Sequence, residues 1–153
     1  MEWFKALLAM LGLKKLEHPL FGKMGFIKTP DSANSYWEGD AIFSPTGKRV
    51  EVFVDGNATG LHEGAEDFYR QVESRYTELI SIVRPLLAAE FEQFAGRELG
   101  ERVEDEFTLS SFSITDQRTQ PIEWEVSFDS ASNDHLFSVQ LTDWKPTTIS
   151  VDG

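Results

Sequence analysis

Oxygen-bearing side chains recur at alternate positions through residues 55–66, DGNATGLHEGAE, and donors so spaced can wrap a hard cation. Asp55, Asn57, Thr59, the Leu61 carbonyl, Glu63 and Glu66 fall at positions one, three, five, seven, nine and twelve of a calcium loop, with Gly60 at the sharp turn in position six. Calcium is the one cofactor this suggests. Thr59 stands where an Asp or Asn is usual, His62 where an apolar residue would pair with a second loop, and no second loop exists. The competing reading is a strand-to-helix turn, in which Asp55-Gly56 makes the turn and Thr59 caps the helix. Glu63, Glu66 and Asp67 would then favour the helix dipole. The expectation favours the turn over the metal.

Other reactive constellations are incomplete. The histidines, His18, His62 and His135, lie in different elements and in no metal-ligand spacing. Glu123 and Glu125 share one strand face about 7 Å apart by strand geometry, a separation that could serve a hydrolase as an acid and base pair. The opposite face of the same strand is apolar, so a solvated outer face explains them more simply. No phosphate-binding loop or nucleophile elbow is present, and with no cysteine there is neither disulfide nor thiolate chemistry. The expectation is a non-enzymatic domain.

Charge points to a protein partner. Net charge is −12, and residues 98–153 hold 12 acidic against 3 basic side chains, whereas residues 1–50 carry a small positive excess. Such a surface repels nucleic acid and attracts a basic protein. Glu101, Glu104, Asp105 and Glu106 are its densest run and are the expected partner-facing acids. Trp3 and Phe4 are the expected aromatic contacts, because residues 1–16 read as an amphipathic helix apolar over more than one stripe, which could also join two copies of the chain. Tyr36, Trp37, Phe53 and Trp144 are further aromatics, expected mostly in the core. That apolar run is too short to span a membrane, and Glu2 ahead of it with Lys14-Lys15 behind disfavours an export signal, so a cytoplasmic location is expected.

The elements that must position these groups follow from periodicity. After the first helix, strands are expected over residues 21–29, 36–44 and 49–55, where Val50, Val52 and Val54 share a face and Phe53 suggests partial cover on the other. Apolar residues at 61, 65, 68, 72, 76, 79 and 83 make one helical stripe, which Pro85 should kink or divide before Gly96 or Gly100 ends it. Four more strands are expected over residues 106–115, 121–129, 135–144 and 147–151, with a bulge near Ser110-Ser111 where the alternation changes phase. The class is α+β in one domain: an N-terminal helix (1–16), then a body (18–153) of a three-strand antiparallel meander, a kinked helix or helix pair, and four further antiparallel strands, with the helices on one face of the sheet.

Phe21-Gly22-Lys23-Met24-Gly25-Phe26, then Tyr36-Trp37-Glu38-Gly39-Asp40, then Val50 to Asp55, resembles a group of small bacterial domains of unknown function that open with an FG strand and a W-E-G strand. The resemblance runs over residues 18–95 and reaches the C-terminal strands in outline. Some members of that group look like immunity proteins, which block a cognate toxin. The resemblance therefore implies a bacterial binding domain, carries over no catalytic residues, and names an immunity-type inhibitor with an acidic C-terminal surface as the expected function.

Overall fold

The computed structural model describes residues 14–30 and 34–153. Trp3, Phe4 and nearly all of the expected N-terminal helix lie outside them. Lys15 and Leu16, assigned to that helix from sequence, instead open β1 (Lys15–His18), because Leu16 pairs with Met24 and packs against the core. The strands β2 (Gly22–Ile27), β3 (Tyr36–Phe43) and β4 (Lys48–Asn57) complete an antiparallel meander, and a two-residue β5 (Gly60–Leu61) folds back on β4. Helices α1 (Ala65–Ser74) and α2 (Tyr76–Ala95) follow, then β6 (Phe107–Ile114), β7 (Glu123–Ser130), β8 (Leu136–Thr142) and β9 (Lys145–Asp152).

These strands form one mixed sheet in the order β1-β2-β3-β4-β6-β7-β8-β9. Only the β4–β6 pair is parallel. That join was not foreseen, and the helices explain it: a parallel neighbour requires a long crossover, and α1 and α2 supply one. The crossover lays both helices on one face. Phe68 meets Trp124 edge-on, Tyr69 stacks on Phe112, and Phe91 meets Phe107, so the helical stripe packs against β6 and β7. Ala65, Phe68, Val72, Tyr76, Leu79, Val83, Leu87 and Phe91 are all buried, which continues the predicted stripe for two further turns.

The expected division at Pro85 is corrected. Pro85 lies inside α2 without dividing it; Ser81 and Pro85 are both exposed, so water can meet the carbonyl that the proline leaves unbonded. The division falls at Arg75, a single non-helical residue whose N–H still reaches the Gln71 carbonyl and whose carbonyl accepts from Leu79. Gly96 ends α2 in the left-handed conformation, as expected of a helix-terminating glycine. The bulge also appears where the phase change placed it, between Leu109 and Ser111.

The core face carries Val50, Val52, Val54, Phe112, Ile114, Trp124, Val126, Phe128, Phe137, Val139 and Leu141, all essentially inaccessible. The opposite face, referred to below as the outer face, carries the intervening residues. Cross-strand register sets Asp40 beside Glu51, Glu51 beside Ser111, Ser111 beside Ser127, Ser127 beside Ser138 and Ser138 beside Ser150. Antiparallel pairing with alternation thus converts scattered serines into a row across four strands.

Candidate functional site

Residues 55–66 form a hairpin that leads into a helix. Gly56 pairs with Leu61 and Asn57 with Gly60, so the Leu61 backbone lies in a ladder. The Asn57 side-chain oxygen accepts from the N–H of Thr59 at 2.9 Å and from its hydroxyl, which places Thr59 in the hairpin turn. The expected role of Thr59 as helix cap is therefore corrected: Gly64, at φ 88°, precedes α1 instead. Gly56 is required where it stands, since a Cβ there would lie 2.4 Å from the Gly60 carbonyl oxygen and 2.9 Å from the Trp37 ring. Trp37 is buried beneath the hairpin and donates its indole N–H to the Asn57 carbonyl at 2.9 Å.

Of the proposed calcium ligands, Asp55 turns towards the β6–β7 loop, where its carboxylate accepts from the Asp116 N–H at 3.2 Å. Burial pushes the Asp55 carboxyl up, against the opposing effects of that hydrogen bond and of His62. Glu63 and Glu66 are exposed. Asn57 and Thr59 bond to each other, and among the described residues no three His, Asp or Glu side chains gather as a metal site requires. What the hairpin does assemble is a different cluster. Arg118 bonds the Asp116 carboxylate through Nε and Nη2 at 2.9 and 2.8 Å and approaches His62 Nδ1 at 3.4 Å, while His62 Nε2 lies 4.0 Å from Asp116. The Arg118 bonds hold the Asp116 carboxyl far below the usual carboxylate range.

Beside this cluster lies an open cleft of about 390 Å³, lined by Leu16, His18, Leu61, His62, Gly64, Ala65, Glu66 and Asp67. His18 is fixed in it. Its Nδ1 accepts the N–H groups of Leu20 and Phe21 at 3.0 and 3.2 Å, and its ring stacks on Phe21. Two such bonds demand a bare Nδ1, so the neutral ring carries its proton on Nε2. Burial lowers the His18 pKa, and Glu66 only partly opposes this.

The acidic run after α2 divides. Glu101, Glu104 and Asp105 are exposed, the last two in a short 3₁₀ turn. Glu106 is not a surface acid: it is 8% exposed, and its carboxylate takes the Ser130 hydroxyl and the Ser132 N–H and hydroxyl, with Arg97 at 3.6 Å. Burial acts to raise its pKa, but these donors outweigh burial and hold it low. Its expected role as a partner contact is thereby corrected to a clamp on the β7–β8 loop.

The larger acidic surface is the outer face of the sheet. Glu123, Glu125, Asp129 and Asp152 share it, while Lys145 is the one lysine or arginine within β6–β9. Burial raises the Glu125 carboxyl and the neighbouring Asp152 raises it further; burial and Glu51 do the same to Asp129. Glu125 also accepts from the Gln140 amide, and its N–H reaches the Ser113 hydroxyl at 2.8 Å. Between these acids Ser127 and Ser138 are buried and bonded to each other at 2.8 Å. Glu123, exposed, and Glu125, partly buried, are thus members of a broader group of acids on one sheet face.

The acidity of the last third was legible in the sequence, and of its densest run Glu101, Glu104 and Asp105 are exposed while Glu106 is buried. The alternation of β7 already sets Asp129 on the face of Glu123 and Glu125; Asp152 was missed, although the period-two alternation of β9 puts it on the same face. The aromatics largely serve packing: Trp37 is core, Tyr36 and Phe53 contact each other half-buried, and Trp144 lies between Trp124 and the Arg75 guanidinium, 3.7 Å from its ring centre. No helix among the described residues is long and apolar enough to cross a membrane. No family model, curated protein or solved structure matches this chain.

Proposed function

We propose that the chain is a non-enzymatic protein-binding domain that takes a basic partner on the outer face of its sheet, in the manner of the immunity-type inhibitors that its FG and W-E-G strands resemble. The observation that carries this reading is the gathering of Glu123, Glu125, Asp129 and Asp152 on one sheet face on which β6–β9 supply Lys145 alone as a cation. Burial and a neighbouring acid raise the carboxyls of Glu125 and Asp129, and a basic surface laid on this face would relieve that repulsion. Charge of this kind speeds encounter and selects against acidic partners.

The test is a pull-down with the full chain and with a Glu125→Gln/Asp129→Asn variant, eluted by a salt gradient. A basic protein retained by the first, released by salt and lost with the second supports the reading. Identical recoveries from both, or a complex indifferent to salt, overturn it.

A second reading rests on the cleft, where His18, His62, Glu66 and Asp67 could hold a small cationic ligand, calcium included. Calorimetric titration and thermal melting with millimolar calcium test the metal directly. Absence of both heat and a melting shift removes calcium from consideration.

A further inference from the structure

The outer edge of β9 is the longest strand edge without a strand partner among the described residues, and α2 packs against the strand itself. β9 ends the strand order, its inner edge pairs with β8 over its whole length, and no described strand pairs with its other side. Such an edge presents N–H and C=O groups that another strand can take up. Natural edges are blunted by lysine, proline and bulges. In β9 these devices sit together at the start, as Lys145, Pro146 and a register shift next to Thr147, and they leave residues 148–152 unguarded. Thr148, Ile149 and Val151 are residues that suit a strand. Ile149 and Val151 are also packed against the core, which holds this part of the edge straight.

The residue pattern of this edge is complementary to itself. When two copies meet edge to edge, antiparallel, about a two-fold axis normal to the sheet, each face is preserved, so core-face residues meet core-face residues. With the Lys145 end of one copy set against the Asp152 end of the other, Ile149 lies against its counterpart, Thr148 against Ser150 and Val151 beside Pro146. Lys145 and Asp152 stand at opposite ends of β9 on the same outer face, since Lys145 is in register with Thr142 and Asp152 with Leu136. The antiparallel arrangement brings the lysine end of each copy to the aspartate end of the other.

We propose that the chain associates as a symmetric dimer through antiparallel β9–β9 pairing, joining two nine-stranded sheets into one. The acidic outer faces then lie side by side on the same side of the joined sheet. This pairing stands independently of the basic-partner reading.

Sedimentation of the full chain across a wide concentration range should show mass rising from 17.3 kDa to twice that value. Amide exchange within residues 148–152 should slow in step with the dimer fraction. Lys145→Glu turns two attractive contacts per dimer repulsive and should weaken association about tenfold. Adding Asp152→Lys reverses the polarity of both ends and should restore it. A chain that stays at 17.3 kDa at all concentrations overturns the proposal, as do a dimer with unchanged β9 exchange and a charge swap that fails to rescue.

Discussion

Neutralising the outer face should stabilise the free domain, which is the reverse of what most substitutions do. The perturbation is Glu125→Gln with Asp129→Asn, which keeps shape and the contact with Gln140 while removing the repulsions with Asp152 and Glu51. Two strands span about 10 Å, the nearest approach open to these pairs given their offset along the strands. At an effective dielectric constant of about 50, each such repulsion costs about 0.7 kcal/mol before screening. In about 10 mM salt, where the screening length is roughly 30 Å, about 1 kcal/mol survives over both pairs; near physiological salt about a third of that remains. For a domain of this size the low-salt gain is a melting temperature higher by about 2–4 °C, shrinking to about 1 °C in physiological salt. The pH dependence supplies a second check. A carboxyl whose folded pKa is raised weakens the fold once ionised, so the penalty is present above the folded pKa and disappears as pH falls through it. Wild type should therefore close the gap on the variant as acid titrates these two groups. Differential scanning calorimetry at two salt concentrations and across the carboxylate range measures both effects. A variant that melts lower than wild type in low salt, or a gap independent of salt and pH, would refute the reasoning.

Two other perturbations probe the buried polar contacts. His18 has a lowered folded pKa, so the unfolded chain takes up its proton first, and stability should be lost as pH falls below about 6.5, the ordinary histidine value. His18→Asn, whose side-chain oxygen can accept the same N–H groups, should flatten this slope in pH-dependent urea unfolding; an unchanged slope would assign it elsewhere. Glu106→Ala strands the Ser130 and Ser132 donors and the Arg97 charge, and should cost about 2–4 kcal/mol, read as a shifted urea midpoint and as faster amide exchange in the β7–β8 loop. A loss below about 0.5 kcal/mol would show that the loop does not depend on the clamp.

Much of the fold was legible because burial imposes periodicity. The valines of β4 and the run Trp124, Val126 and Phe128 alternate cleanly, and the buried stripe on α1 and α2 passes unbroken through Arg75. What sequence could not supply was the partner of each strand. The parallel β4–β6 pair depends on where the crossover lands, and nothing local to residues 51–54 records that Ser111, Phe112, Ser113 and Ile114 will lie beside them. Local chemistry misled where two explanations used the same residues. Asp55, Asn57 and Thr59 suit a cation loop and a hairpin turn alike, and the arbiter was Trp37, twenty positions from Asn57, whose indole N–H needs the Asn57 carbonyl. Glu106 shows the same limit, since its donors at Ser130 and Ser132 come from another loop.

The acidic face and the β9 edge make separable demands on the molecule, and their coupling can be measured. A two-fold axis normal to the sheet sets both outer faces towards the same side, so a partner with two basic patches would engage both copies and gain avidity from a shared scaffold. Lys145→Glu should then weaken capture of such a partner chiefly through loss of the dimer, and the loss should vanish at chain concentrations high enough to restore pairing. Glu125→Gln/Asp129→Asn should weaken capture at every concentration, because it removes the contact itself. Binding isotherms at a low and a high chain concentration distinguish the two. Equal losses from both variants at both concentrations would mean that Lys145 acts on the partner and not on the second copy.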